Sequence, residues 1–296
     1  MPTSALLSAR RRQFLNSLIS DGLFTFIEKR KQGLARRLPS IADGDNKDSI
    51  AITSHVFEAL GVASTSLALS PQALGARFQQ LCREFIADTF LPLRHLRPGS
   101  WEVTTVSSRG RLELAGFQQY SHLQAVADAC AKNLELSAAL GREYLIAPDV
   151  VILRQPEPDS NINSRALRVV DDENALRTGL RLLNNKLPLL HASISCKVTM
   201  RSDRAQNSRS EALNLIRNRK GRVPHIVVVT AEPLPSRLAS LALGTGDLDC
   251  VYHTNLLELI AAVNEVAGDD SKELLRIMND GKRLRDIADL PLDLAV

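Results

Sequence analysis

The chain has 296 residues, 44% of them hydrophobic and 24% charged, with a net charge of +4 at neutral pH. This composition fits a soluble globular protein with a sizeable core and excludes a disordered or low-complexity chain. No apolar run approaches the roughly 18 residues of a membrane span, and Arg10-Arg11-Arg12 has no apolar segment behind it to form a secretory signal. Cys82, Cys130, Cys196 and Cys250 lie too far apart for a CxxC or zinc pattern, so reduced thiols in a cytoplasmic protein are expected.

A net of +4 decides little, but its distribution says more. Residues 1 to 37 hold eight Lys or Arg against two acids, and residues 201 to 222 hold seven against two. Positive charge concentrated in two places leans toward an acidic partner.

In chain order, residues 5 to 31 read as one or two amphipathic helices, with Leu6, Phe14, Leu15, Leu18 and Ile19, then Leu23, Phe26 and Ile27 on the apolar face, and the alternative is a basic nucleic-acid arm. Residues 40 to 46 form a dense turn signal, without the ligand series of a calcium loop. Ser49 to Leu60 and Gln72 to Phe90 carry helical patterns. Trp101 to Ser107 alternates as an edge strand does, and Phe117 to Leu140 reads as one long helix ended by Gly141. Tyr144 to Leu153 is an apolar strand broken by Pro148-Asp149. A polar loop (155 to 164) and a helix (about 172 to 184) lead to a second strand at 187 to 199. The next helix opens at Arg201-Ser202-Asp203-Arg204, with Ser202 or Asp203 able to cap it, Ala205, Ala212, Leu213 and Ile216 as its stripe, and Gly221 at its exit. A strand at 224 to 230, a short helix from Ser236, a strand at 248 to 252 and a helix from Thr254 to Val266 follow. The tail from 270 reads as a helix and a short polar-apolar end. Alternating strands and helices place the second half in the α/β class, behind a largely helical N-terminal part.

Three residues stand out together. Asp149 lies in an apolar strand and needs a partner, Lys197 ends the next strand, and Glu211 sits on the following helix. Singly, Asp149 reads as a turn aspartate, Lys197 as a lysine snorkelling to water and Glu211 as an exposed helix acid beside an arginine. Jointly they supply what phosphodiester hydrolysis asks for, carboxylates to hold a hard divalent cation and a cationic group near the attacked phosphate. Glu211 lies two helical turns after Arg204, so the two point roughly the same way. Arginine can bond guanine O6 and N7, and aspartate can accept from cytosine N4. Arg201, Asp203 and Arg204 at a helix start therefore form a candidate reader of G·C pairs.

The run Ser195-Cys196-Lys197, then Arg201-Ser202-Asp203-Arg204-Ala205-Gln206-Asn207-Ser208-Arg209 and Glu211, with Pro148-Asp149 upstream, resembles the signature of the NgoMIV-type type II restriction endonucleases. These form the CCGG-cutting branch of the PD-(D/E)xK nucleases. The resemblance implies a restriction-endonuclease-like core, a central mixed β-sheet flanked by helices, in a single domain over 1–296. Within it, 1–141 would be mainly helical, 142–268 the nuclease core and 269–296 a C-terminal tail. It implies Mg²⁺-dependent cleavage of double-stranded DNA at a CCGG-containing palindrome, GCCGGC or a near variant. It further implies a homodimer or homotetramer, and neither a membrane nor a nucleotide cofactor is expected.

By position, the resemblance makes Asp149 the principal metal ligand and turns the Cys196 carbonyl to a metal. Lys197 would orient or activate water. Ser195 stands where the usual E-x-K acid is absent, and Glu211 takes that acid's place. Arg201, Asp203 and Arg204 would read the central CCGG, Arg237 the outer base pair, and Asp43 and Gln72 would make loop and minor-groove contacts. One departure stands out: relatives carry a glutamate where this chain has Gln79, and Glu84 points to another face of the same helix. A sequence-specific DNA-binding protein with an impaired nuclease centre is the alternative that Gln79 raises. A repair or recombination nuclease on the same fold is disfavoured, because it would not need the base reader.

Overall fold

A computed structural model describes residues 4–31, 34–64, 70–105, 113–140, 148–244 and 246–296. Helix α1 (Leu6–Ser20) buries Phe14, Leu15 and Leu18 and ends before Gly22, whose φ of 74° turns the chain. The expected helix to residue 31 does not continue. Phe26–Lys31 (β1) and Leu34–Pro39 (β2) instead form an antiparallel hairpin in register from Phe26 opposite Pro39 to Lys31 opposite Leu34. Helix α2 (Lys47–Ala59) is capped by Asn46, whose side chain accepts from the Ser49 amide. Helix α3 (Pro71–Phe90) is capped by Ser70 and starts with proline at its first position.

Strand β3 (Trp101–Thr105) is an edge strand as expected. The long helix expected over 117 to 140 is broken into a 3₁₀ turn at Gln118–Tyr120, α4 (Leu123–Lys132) and α5 (Leu134–Leu140). Gln119 explains the first break. Its side chain accepts from the Leu190 amide at 2.9 Å and donates to the Leu190 carbonyl at 2.8 Å, close to the register shift in the neighbouring strand pair. Gly141 and the first part of the strand expected from Tyr144 lie outside the described residues.

The core continues with β4 (Val150–Arg154), the short α6 (Asp159–Ile162), β5 (Leu189–Lys197), α7 (Ser202–Asn218), β6 (His225–Thr230) and α8 (Pro235–Ala242). It ends with β7 (Cys250–His253), α9 (Leu256–Val266), α10 (Asp269–Asp280), β8 (Leu284–Asp286) and α11 (Leu290–Asp293). The helix expected over 172 to 184 is absent. There the Asp171 carboxylate takes the amides of Glu173 and Asn174, and Asn184 and Asn185 bond nearby carbonyls, so side chains compete with a helical ladder. The buried guanidinium of Arg181 holds this loop through two bonds to Asp159, at 2.7 and 2.6 Å.

The six strands form one mixed sheet in the order β3-β4-β5-β6-β7-β8, antiparallel up to β5 and parallel after it. It draws β3 from the N-terminal part and β8 from the tail, where a three-residue strand is too short to show a pattern. The inner strands are almost wholly buried, and β4 and β6 are Val- and Ile-rich, as a sheet with helices on its faces requires. Among the described residues no helix is long and apolar enough to cross a membrane.

Candidate active site and nucleic-acid interface

Lys197 is the last residue of β5, and Asp149 immediately precedes β4. Because these strands are antiparallel, with Val150 opposite Ile194, the start of one lies beside the end of the other. Two residues 48 positions apart in sequence thereby meet. Asp149 Oδ2 accepts from the Cys196 amide at 2.8 Å and from Lys197 Nζ at 2.7 Å. The expectation of a lysine snorkelling freely to water is therefore corrected: Lys197 and Asp149 form a half-buried ion pair.

Successive side chains of β5 point to opposite faces. Ser195 and Lys197 share the face that α7 covers, where Ser195 Oγ and Ser208 Oγ are 3.4 Å apart. Cys196 points the other way, to Cys82 of α3. Its thiol is held well above the ordinary range by its bond to Cys82 and by burial, so it is not a nucleophile at neutral pH.

On α7, Arg204, Ser208 and Glu211 fall at i, i+4 and i+7, one stripe of the helix. Arg204 is exposed at its open end, Ser208 is buried against Ser195, and Glu211 is half-buried. The reading of Glu211 as an exposed acid is thus also corrected. Burial raises the pKa of Glu211, with Lys197 opposing and Asp149 adding to the rise. Burial would lower that of Lys197, but the Asp149 carboxylate and then Glu211 hold it above its usual value. Lys197 therefore remains an ammonium at neutral pH.

Gln79 on α3 completes the floor by donating from Nε2 to the Asp149 carbonyl. Glu84 is engaged elsewhere, with Gln80 and Arg77, and takes no part here.

Asp149, Cys196, Lys197, Gln79, Arg201 and Arg204 line one cleft of about 640 Å³. An adjoining cleft shares Arg201 and brings in Asp43, Ser236 and Arg237. Arg237 is paired with Asp43, and this bond holds the Asp43 carboxyl below the ordinary carboxylate range. Arg201 occupies the N-cap position of α7 without a side-chain cap bond, so Ser202 starts the helix rather than capping it. The side chains of Ser202 and Asp203 lie outside the described residues. Gln72 is exposed on the first turn of α3, next to the cleft-lining Pro71.

Two contributors were not anticipated. Ser208 was hidden in a polar stretch of helix, and only its i+4 spacing from Arg204 hinted at an inward face. Glu232 is fully buried just after β6. Its carboxylate accepts from the Met200 amide at 2.6 Å and the Leu234 amide at 3.1 Å, and lies 3.8 Å from Arg237. It thus ties the entry to α7 to the entry to α8. Ala231-Glu232-Pro233 carries the same signal as Pro148-Asp149, an acid beside a proline at the end of an apolar strand.

Among the described residues no three His, Cys, Asp or Glu side chains converge into a ready-made metal cluster. The donor chemistry still fits a hard cation. The half-buried Glu211 carboxylate takes no hydrogen bond from a described residue, and Mg²⁺ is commonly held by one or two carboxylates together with substrate phosphate.

A family model described as NgoMIV restriction enzyme matches residues 21–296. The type II restriction enzyme NgoMIV of Neisseria gonorrhoeae is 52% identical over 261 residues, covering 88% of this chain and 91% of that protein. Among solved structures, the Bse634I restriction endonuclease is similar with a TM-score of 0.36 at 13% identity, over 81% of this chain and 94% of that one. A PspGI restriction endonuclease in complex with substrate DNA gives a TM-score of 0.25 at 15% identity, over 88% and 97%.

Proposed function

The chain belongs to the NgoMIV restriction enzyme family and is a type II restriction endonuclease; from that premise we propose that it hydrolyses both strands of DNA at GCCGGC, using Mg²⁺ at Asp149 and Glu211. The observation that carries the reading is the Asp149–Lys197 pair at 2.7 Å, with the half-buried Glu211 coupled to both charges from a helix that starts after Arg201 and carries Arg204 in its first turn.

Each part follows from the chemistry of the residues. Asp149, Glu211 and the Cys196 carbonyl would hold Mg²⁺, which when bound supplies Lewis-acid polarisation of the phosphate and lowers the pKa of water. Lys197, kept charged by Asp149, donates hydrogen bonds to the attacking water and the phosphate oxygens and offsets the negative charge that grows there. Ser195 is too short to reach the cation as a glutamate would. Its bond to Ser208 closes α7 onto β5 and leaves Glu211 to supply the second carboxylate.

Arg201, Asp203 and Arg204 read the central CCGG from the open end of α7. Arg237 and Asp43 read the outer pair from the adjoining cleft, and Gln72 approaches the minor groove from α3. One chain supplies one such centre, while a palindrome cut in both strands needs two. The working form is therefore a homodimer or a homotetramer with twofold symmetry, acting in the cytoplasm, where the DNA is.

The test is incubation of the purified protein with DNA carrying GCCGGC, CCGG alone or a scrambled site, with Mg²⁺ or with EDTA. Cutting confined to GCCGGC and lost in EDTA supports the reading. Cutting of all three, or of none, sinks it.

A further inference from the structure

The basic residues of the first 37 positions divide into two groups once the chain is folded. Arg10 lies 3.2 Å from Asp88, and Arg11 pairs with Glu258 at 2.6 Å and Asp286 at 2.9 Å. Two of the three arginines of α1 thus hold the body together, and Arg12 is exposed. The β1–β2 hairpin carries the rest. Its residues 26–39 contain Lys29, Arg30, Lys31, Arg36 and Arg37 against Glu28 alone, five cations and one acid, a net of +4 that equals the net charge of the whole chain. Arg36 and Arg37 are exposed and form no ion pair with a described residue. The Arg37 guanidinium lies 4.1 Å above the Phe26 ring instead, which leaves its charge unneutralised.

The hairpin is fixed at its base. Phe26 packs edge-on against Phe57 of α2 with ring centres 5.5 Å apart, Leu38 is buried, and Ser40 donates to the Leu23 carbonyl at 2.6 Å. That base is part of the cleft. Thr25, Ile27 and Glu28 line it together with Asp149, Lys197, Arg201 and Arg204. A six-residue strand extends about 20 Å, the length of about six stacked base pairs. A basic ribbon of that length is thus rooted in the wall of the cleft.

We infer that the β1–β2 hairpin is a clamp for the phosphates of DNA flanking the recognition site, with Arg36 and Arg37 as contact residues. The inference rests on the proposed endonuclease function and adds to it a sequence-independent contact outside the recognised bases. Such contacts set orientation and salt dependence without specifying sequence.

The experiment measures binding of the full chain to duplexes with one central GCCGGC and flanks of about two or about ten base pairs per side, from about 50 to 200 mM NaCl, with Ca²⁺ in place of Mg²⁺. Wild-type protein should bind the long-flank duplex more tightly. Arg36→Gln/Arg37→Gln should lose that gain while keeping its affinity for the short duplex and its cut position. Two lost phosphate contacts should lower the salt slope by about 1.8, so that the fall in affinity across this salt range becomes about twelvefold smaller. Arg36→Glu/Arg37→Glu should bind the long duplex less tightly than the short one. A glutamine variant that keeps both the flank gain and the wild-type slope overturns the clamp. If wild-type protein itself does not distinguish GCCGGC from a scrambled duplex, the endonuclease reading fails and the inference fails with it.

Discussion

Replacing Lys197 by alanine removes the ammonium that sits 2.7 Å from Asp149 Oδ2 and touches no base reader. The chemical step should suffer most. A positioned proton donor or charge stabiliser is worth about 10² to 10⁴ in rate, or about 3 to 5 kcal/mol of barrier. Binding should change little, because Arg201, Arg204 and Arg237 lie on other elements. Folding should pay a smaller cost. Breaking a fully buried pair costs about 3 to 5 kcal/mol, but both partners here are about a fifth exposed and Asp149 keeps the Cys196 amide at 2.8 Å. We expect about 1 to 2 kcal/mol, seen as a fall in Tm of about 2 to 3 °C for a chain of this size. Single-turnover cleavage, equilibrium binding in Ca²⁺ and a thermal melt separate these three effects. Loss of site-specific binding in parallel with cleavage, or a rate within tenfold of wild type, would refute the role given to Lys197.

Four further outcomes are expected. Arg204→Ala should cost about 1 to 3 kcal/mol of discrimination at one G·C pair of the core, measured by competition among singly substituted sites, with other positions unchanged. Glu211→Gln should leave binding in place and raise the Mg²⁺ concentration needed for half-maximal cleavage, so an unchanged Mg²⁺ titration would remove Glu211 from the metal site. Gln79→Glu exchanges the donor to the Asp149 carbonyl for an acid at the position where relatives carry one, and it should lower that Mg²⁺ requirement. Glu232 is pushed up to about 7, chiefly by burial. A raised carboxyl binds its proton more tightly when folded, so its contribution is full below the ordinary glutamate range and fades as pH climbs through about 7. The stability difference between wild type and Glu232→Gln should therefore shift against wild type between about pH 5 and 8, by up to about 3 kcal/mol. A difference that is flat with pH would contradict this.

What was legible in the sequence was local. The apolar runs marked β4 to β7, the helical patterns over 49 to 60 and 72 to 90 marked α2 and α3, and Ser195-Cys196-Lys197 with the arginines of α7 marked the candidate site, because strand burial and short-range spacing depend on neighbours in the chain. The failures were also physical. The expected helices over 117 to 140 and 172 to 184 yielded to Gln119, Asp171 and the asparagines at 184 and 185, whose side chains bond backbone that is distant or out of helical register. The basic N-terminal stretch read as one unit until folding gave Arg11 to Glu258 and Asp286 and left Arg36 and Arg37 exposed on the hairpin. Which residues could do the chemistry was already written in the order of amino acids. That Asp149 meets Lys197, that Glu211 is half-buried, and that Glu232 ties the entries to α7 and α8 together came from the fold, because antiparallel pairing and helix packing join positions that no local pattern relates.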